Sequence, residues 1–390
     1  MKVAYICADP GIPVFGQKGA SIHIQEVLRV LLRHGVEITL FAQRLGGEPP
    51  AAFRSLTIIE LPALVGGVDE EARADAALDA NAALLTRFIE AGPFDVVYER
   101  YSLWSHAVIG YARQAGIPTV LEVNAPLPQE QRRYRRLVRA REAFGVIESL
   151  VSDADTIIAV SRGVKGWLET FSGAQGKVRV VENGVDPARF SQRSPAADGP
   201  LTLGFVGTLK PWHGLETLVE AYILLREKGY PVTLSIVGDG PQAAVLKARL
   251  SQCGATGSAR FHGAVAPEQV PALLASMDIG IAPYPQLDNF YFSPLKIYEY
   301  MAAGLPVITS RVGHLAELVS DGETGLLVAP QDPVALAQAV MTLADDPLLR
   351  QRLGLAGQAR AQQHHSWEQV VKRIWLAAGL RLPEGAKHGG

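Results

Sequence analysis

Short apolar runs alternate with longer stretches of helical spacing through most of this chain. That rhythm predicts parallel sheets covered on both faces by helices, because a parallel connection needs a crossover element. In the first half the candidate strands are Val3–Ala8, Glu37–Ala42, Val96–Glu99, Thr119–Val123, Thr156–Val160 and Val178–Glu182. A polar stretch with proline and glycine, 191–200, then reads as a linker. A second series follows: Leu201–Val206, Thr233–Val237, Ala259–Phe261, Ile279–Ala282, Val307–Thr309 and Gly325–Val328. The expected architecture is α/β, with two doubly wound, Rossmann-like parallel-sheet domains over 1–190 and 201–365 facing a cleft. In such sheets ligands meet the carboxyl ends of the strands, so residues just past a strand matter most.

The helices test the rhythm. Between Gly214 and Gly229, Leu215, Leu218, Val219, Tyr222 and Leu225 recur at helical spacing and leave Glu216, Glu220 and Glu227 for solvent. Two more helices are expected within 332–363, and a last amphipathic one from Trp367 to Leu380. Residues 383–390 lack apolar anchors and are expected to be disordered. With 37 basic against 39 acidic residues, nothing global argues for a nucleic-acid partner. Cys7 and Cys253 form neither a disulfide framework nor a CxxC pair, which favours a reducing compartment. No apolar run is long enough to span a membrane, and the start of the chain reads as a first strand and not as a signal peptide. The expected location is cytoplasmic, with association on the cytoplasmic face of a membrane left open.

The segment from Ser293 to Ile308 carries the most chemistry. Ser293 suits an N-cap and Pro294 a first helical position, which leaves Leu295 and its neighbours with free backbone N–H groups at a helix start. Free amides and the helix dipole favour a phosphate there. Lys296 lies inside the first turn, and Glu299 one turn further on nearly the same face. A lysine can neutralise phosphate, and a carboxylate can accept from both hydroxyls of a ribose. Gly304 ends the helix and the chain returns as a strand. The arrangement suits a nucleoside diphosphate.

This segment resembles the donor-site signature of retaining glycosyltransferases of the GT-B fold, specifically glycosyltransferase family 4. The family pattern has two glutamates with seven residues between them, followed by an (A/M)AxGxPV run. Glu299 matches the second glutamate, while Tyr291 stands at the first. The family's first glutamate helps to hold the donor sugar, so Tyr291 is a departure, and Asp288 and Asn289 just before it are candidate substitutes. The loop from Gly207 to Gly214 follows the first strand of the second domain. Gly207 allows close backbone approach, and Lys210 and His213 offer groups to a diphosphate. The family commonly has arginine and lysine where this chain has Thr208 and His213. The turn at Gly238 resembles the family's VGxGP turn, and His262 ends the strand whose backbone meets the base in the family.

In the first domain, the loop from Gly16 to His23 resembles the family's glycine-rich loop, with Gly19 at its second glycine, where amides would face the donor phosphate. His23 lies within the following helix and is expected to pack or cap. Glu99 and Arg100 end one strand, and Glu122 and Asn124 the next, so Glu99 and Arg100 are acceptor-site candidates and Glu122 and Asn124 catalytic ones. Glu122 could take an acceptor proton or stabilise positive charge, and Asn124 could bind a sugar hydroxyl. The plainer alternative pairs Glu99 and Arg100 with each other or with Glu122. Residues 129–142 carry six arginines and two glutamates and read as one basic helix. It would either lie on an anionic membrane or be a solvated helix.

The resemblance implies a nucleotide-sugar-dependent transferase that retains anomeric configuration. Its donor would be a UDP- or GDP-type sugar and its acceptor a sugar, a lipid-linked sugar or a small molecule. Basic groups and amides would meet the leaving diphosphate, so neither a metal nor another cofactor is expected. The C-terminal helix, 366–382, would cross back to the first domain. A sugar-nucleotide epimerase of the same fold and a non-catalytic nucleotide-sugar-binding scaffold are the rival readings.

Overall fold

The computed structural model describes residues 1–64, 69–190 and 199–384. The expected linker lies almost wholly outside the described residues, as does the chain from 385 on. The chain divides into two compact units. The first gathers Met1–Asn183, Tyr291–Ser293 and the described chain from Trp367; the second gathers Gly184–Phe290 and Pro294–Ser366 over their described residues.

Seven parallel strands build the first unit: β1 (Lys2–Cys7), β2 (Glu37–Ala42), β3 (Thr57–Glu60), β4 (Val96–Arg100), β5 (Thr119–Val123), β6 (Thr156–Ala159) and β7 (Val178–Val180). Their order is β3-β2-β1-β4-β5-β6-β7. Every residue of β4 and β5 is buried, so both faces of the sheet centre are covered, and Glu99, Arg100 and Glu122 are buried there among apolar neighbours. Of these strands, β3 is absent from the sequence-based set. It is an edge strand whose residues are all at least partly exposed, so its short apolar pair, Ile58 and Ile59, carries little signal.

The second unit has six parallel strands: β8 (Leu201–Val206), β9 (Val232–Val237), β10 (Ala259–Gly263), β11 (Ile279–Ala282), β12 (Val307–Ser310) and β13 (Gly325–Val328). Their order is β10-β9-β8-β11-β12-β13. In both sheets the winding reverses beside the first strand, between β1 and β4 and between β8 and β11. Each reversal opens a crevice at the strands' carboxyl ends, the usual ligand position in this architecture.

Local sequence sets the helix ends. Asp332 and Asp346 each accept an N–H from the first turn of the helix that follows, Pro333–Asp345 and Pro347–His364, with proline at the first helical position of both. Leu215–Glu227 begins after Gly214, whose φ of 68° favours glycine. A side chain at Gly214 would also place its Cβ 1.8 Å from the Pro283 carbonyl oxygen. The basic stretch departs from expectation. Leu127–Tyr134 is one helix, Arg135 is extended, Arg139 has a φ of 47°, and a second helix runs Ala140–Asp153. Arg139 pairs with Asp75 at 2.7 Å and with Glu71 at 3.7 Å, and Arg136 pairs with Glu71 at 3.6 Å. The six arginines therefore do not share one helix face, and two are partly neutralised by acids of the helix Glu70–Ala91.

The last helix, Trp367–Ala377, belongs to the first unit and packs against the helix Gly19–Arg33. His34 ties the two: its Nε2 lies 2.6 Å from Glu368 and its Nδ1 3.0 Å from the carbonyl oxygen of Pro383. Pro383, expected in a disordered tail, is thus held. Trp375, 1% exposed, stacks on Tyr98, which stacks on Tyr5, with centroid separations of 5.9 and 5.0 Å. Trp375→Ala should destabilise the first unit by about 3–5 kcal/mol, because the emptied space lies against β4 and β1. Chemical denaturation followed by far-ultraviolet circular dichroism would show the shift, and an unchanged first-unit transition would refute this anchoring.

Candidate functional site

At the crevice of the second unit, the helix Leu295–Ala302 starts beside the loop that follows β8. Lys296 is 7% exposed, and its Nζ lies 3.9 Å from the ring centre of Phe205 and 5.4 Å from that of Tyr284. Phe205 belongs to β8, and Tyr284 lies just past the end of β11, so the amine sits at the point where the sheet reverses. Among the described residues the Nζ has no hydrogen-bond partner. Burial pushes its pKa down to about 7, and Glu299 one turn away acts in the opposite direction. The backbone N–H groups of Leu295 and Lys296 open this helix, where no intrahelical carbonyl stands behind them.

Glycines bring backbone to the same place. Gly207 has a φ of 138°, and a Cβ there would lie 2.8 Å from Lys296 Nζ. Gly238 has a φ of 127°, and a Cβ there would lie 2.0 Å from the Gly207 carbonyl oxygen. No other residue type fits either position without moving its neighbour.

His213 departs from its expected role. Its Nδ1 is hydrogen-bonded to the Thr208 carbonyl, which can only accept, so the Nδ1 proton is committed there. Burial, then the charge of Lys296, push the imidazole down to about 3. A neutral ring with Nδ1 engaged has only a lone pair at Nε2 and nothing to donate to a phosphate. Lys210 is partly exposed, with its Nζ 5.6 Å from the Trp212 ring. Thr208 is exposed. His262 is exposed, and its Nε2 is 3.0 Å from Ser235 Oγ. Glu299 is partly buried, one helical turn beyond Lys296.

Ser293 and Tyr291 are placed otherwise than expected. Ser293 is buried in the first unit, where its Oγ accepts the Asn183 N–H at 3.2 Å and its carbonyl accepts Asn183 Nδ2 at 2.7 Å. It does not cap the helix, whose N-cap is Pro294 with no side-chain bond. Tyr291 packs in the first unit's core, 8% exposed, with its hydroxyl 3.2 Å from Glu130 and its carbonyl accepting Ser161 Oγ at 2.7 Å. Gly19 opens the helix Gly19–Arg33 and is exposed. Asp288 and Asn289 form an exposed turn of the second unit.

In the first unit, β4 and β5 pair so that Arg100 lies directly opposite Glu122. Glu122 is fully buried and is met by four donors. His23 Nε2 at 2.9 Å and the Tyr98 hydroxyl reach Oε2, while Arg100 Nη1 at 2.7 Å and Asn124 Nδ2 at 2.5 Å reach Oε1. Burial alone would raise its pKa, but His23, Arg100 and Tyr98 together outweigh that and hold the carboxyl well below the usual range. A carboxylate so occupied is a poor proton acceptor, which argues against the proton-accepting part expected of Glu122. It instead fixes its neighbours: the Asn124 amide must turn its nitrogen to the carboxylate, which leaves Oδ1 as the accepting end. The plain alternative of Arg100 pairing with Glu122 is what the structure contains.

Glu99 points to the other face. Ser105 Oγ donates to its Oε1 at 2.6 Å, while Oε2 is buried with no partner among the described residues. Burial raises its pKa to about 7, against the pull of the Ser105 hydrogen bond. Sequence reasoning missed Tyr98, Ser105, Phe205 and Tyr284, and took His23 for a packing or capping group. Strand alternation puts Tyr98 on the face of Arg100; the other placements depend on which strands are neighbours.

Two family descriptions match the chain: "Glycosyltransferase Family 4" over 17–189 and "Glycosyl transferases group 1" over 200–346. A glycogen synthase of Mycobacterium tuberculosis is 30% identical over 300 residues, covering 74% of this chain and 71% of that protein. Among solved structures, a sucrose-phosphate synthase of Thermosynechococcus elongatus superposes with a TM-score of 0.75 at 22% identity, covering 96% of this chain and 97% of that one. HepE of Anabaena, in complex with UDP and glucose, gives 0.72 at 20% identity over 96% and 98%. At those identities the two structures speak to the fold alone, and the fold is GT-B: two Rossmann-like parallel-sheet domains. The chain therefore belongs to the family 4, group 1 glycosyltransferases, and it is a glycosyltransferase that uses a nucleotide-sugar donor.

Proposed function

We propose that the second unit holds the donor's nucleoside diphosphate at Lys296 and the start of the helix Leu295–Ala302, with Glu299 on the ribose. The observation that carries this reading is the unpartnered, buried Lys296 amine beside Gly207, at the sheet's reversal point. An anion is the ligand that such an amine and such a helix start favour together. Gly207 and Gly238 keep the backbone close, and Lys210 at the loop's edge adds charge. The backbone beside His262 would meet the base. Uracil is the first base to test, as UDP, because the Anabaena structure holds UDP.

In this reading transfer retains anomeric configuration, as the resemblance to the retaining family implies. Front-face attack would pass through an oxocarbenium-like transition state, with Lys296 and the helix amides stabilising the leaving diphosphate in place of a metal. The first unit offers the acceptor Asn124 Oδ1 beside Arg100. The acceptor class is a sugar, free or lipid-linked. Peripheral contact with an anionic membrane through the arginines of 129–142 is a further part of this reading, and flotation with anionic vesicles tests it.

Mass-spectrometric turnover of a panel of UDP-, GDP-, ADP- and dTDP-sugars, with and without membrane extract, tests the function. Glu299→Ala and Lys296→Met should each lower turnover by about 100-fold or more; wild-type rates in both would refute the donor site. Proton NMR of the product should show the donor's anomeric configuration, and turnover should survive EDTA. Glu99 predicts a pH effect on stability. Its folded pKa, about 7, lies above the usual 4.5, so folding is disfavoured progressively as pH rises between those values and uniformly above them. Glu99→Gln should remove that loss and stabilise the first unit by up to about 3 kcal/mol above neutral pH, with little gain in acid. Equal effects at both pH values in denaturation curves would refute it.

A further inference from the structure

Lys296 carries an inference that deepens the donor reading and rests on it. Its Nζ is enclosed by the faces of Phe205 and Tyr284 and by the backbone of Gly207. Among the described residues it has no hydrogen-bond partner. The titratable and charged groups around it are few. On its own helix are Glu299, one turn on, and Tyr300, buried with its hydroxyl engaged to the Val206 N–H. From the loop after β8 come His213, neutral for the reasons above, and Lys210, a like charge further out. Past β11 stands Tyr284, a buried phenol that stays neutral. Glu299 is the single acid in this set.

An ammonium removed from water costs several kcal/mol unless it is paired and hydrogen-bonded. Two aromatic faces return about 0.5–2 kcal/mol, which is short of that cost. The empty site therefore favours the neutral amine. A diphosphate reverses the balance. One phosphate charge at about 4 Å is worth about 4 kcal/mol at a protein-like dielectric, or about three pKa units, and a diphosphate brings more than one charge.

We propose that the second unit binds its nucleoside diphosphate together with a proton, which Lys296 Nζ takes from solvent as the anion seats. The step converts the amine to an ammonium and consumes one solvent proton for each diphosphate bound. Donor binding is then sensitive to pH above neutrality. When nucleoside diphosphate leaves, the proton leaves too and the amine is reset.

The test is titration calorimetry of the full chain with UDP, in buffers of different ionisation enthalpy. Uptake should be near one proton at about pH 8 and fall towards zero near about pH 6, with affinity dropping up to about tenfold per pH unit above neutrality. Lys296→Arg, permanently charged, should bind UDP without that uptake, which separates the lysine from titration of UDP itself. A second readout needs no variant: the Lys296 ¹³Cε resonance near pH 8 should move from its amine to its ammonium position as UDP is added. UDP binding without proton uptake, equal uptake in Lys296→Arg, or an ammonium resonance in the free protein would overturn the proposal and leave the donor reading standing. No binding of UDP, GDP, ADP or dTDP would overturn both.

Discussion

Glu122 is the constraint around which the first unit is arranged. A carboxylate with no exposure is tolerated only when its lone pairs are met. Here the four donors come from three places: the helix Gly19–Arg33, β4 twice, and the turn after β5. All must be in register at once, because removing one leaves a charge buried and underpaired. The aromatic stack extends the same constraint. Tyr98 both donates to Glu122 and lies between Tyr5 and Trp375, and Trp367 sets its edge against His23 at 4.9 Å. The C-terminal helix thereby closes the apolar side of a polar cluster. Asn124, at the exposed margin, is held in one amide orientation by this arrangement.

The second unit treats charge in the opposite way. Lys296 is buried with its hydrogen-bonding capacity unspent, between aromatic faces and a glycine. A fold that needed only stability would pair that amine or replace it. Glu122 shows that this chain can satisfy a buried charge fully, and that contrast is what the proposed donor site at Lys296 rests on. Satisfied charge fixes geometry in one unit; in the other a buried amine has no hydrogen-bond partner among the described residues.

Much of the fold was legible because parallel strands buried on both faces leave uninterrupted apolar runs, and helices leave a 3.6-residue period. Twelve of the strand positions are visible in that way, whereas β3, half-exposed at an edge, leaves almost no trace. The proposed donor segment stands out in the sequence because its chemistry is local: Lys296 and Glu299 are one turn apart and need no knowledge of the rest of the chain. The Glu122 cluster does not, since His23 lies 99 residues away from it and Tyr98 24. Strand order and register bring them together, and neither is written in a local pattern. The basic stretch 129–142 shows the converse error. Its composition favours a helix throughout, but the pairing of Arg139 with Asp75 accompanies a break that propensity alone does not reveal.

Tyr291 is the sharpest departure from the family pattern, and its surroundings explain how the chain accommodates it. The ring packs in the first unit's core and against Phe292, and the hydroxyl reaches Glu130. Burial raises the Glu130 pKa, and the Tyr291 hydroxyl works against that rise. A glutamate at 291 would set a second carboxylate towards a partly buried first one, and like charges so placed are unfavourable. Tyrosine supplies a donor where glutamate would supply another acceptor, so residues 130 and 291 form a unit in which the phenol and the carboxylate suit each other. The carboxylate missing from position 291 is therefore matched by one on the helix Leu127–Tyr134, and any account of what position 291 contributes has to treat the two side chains together.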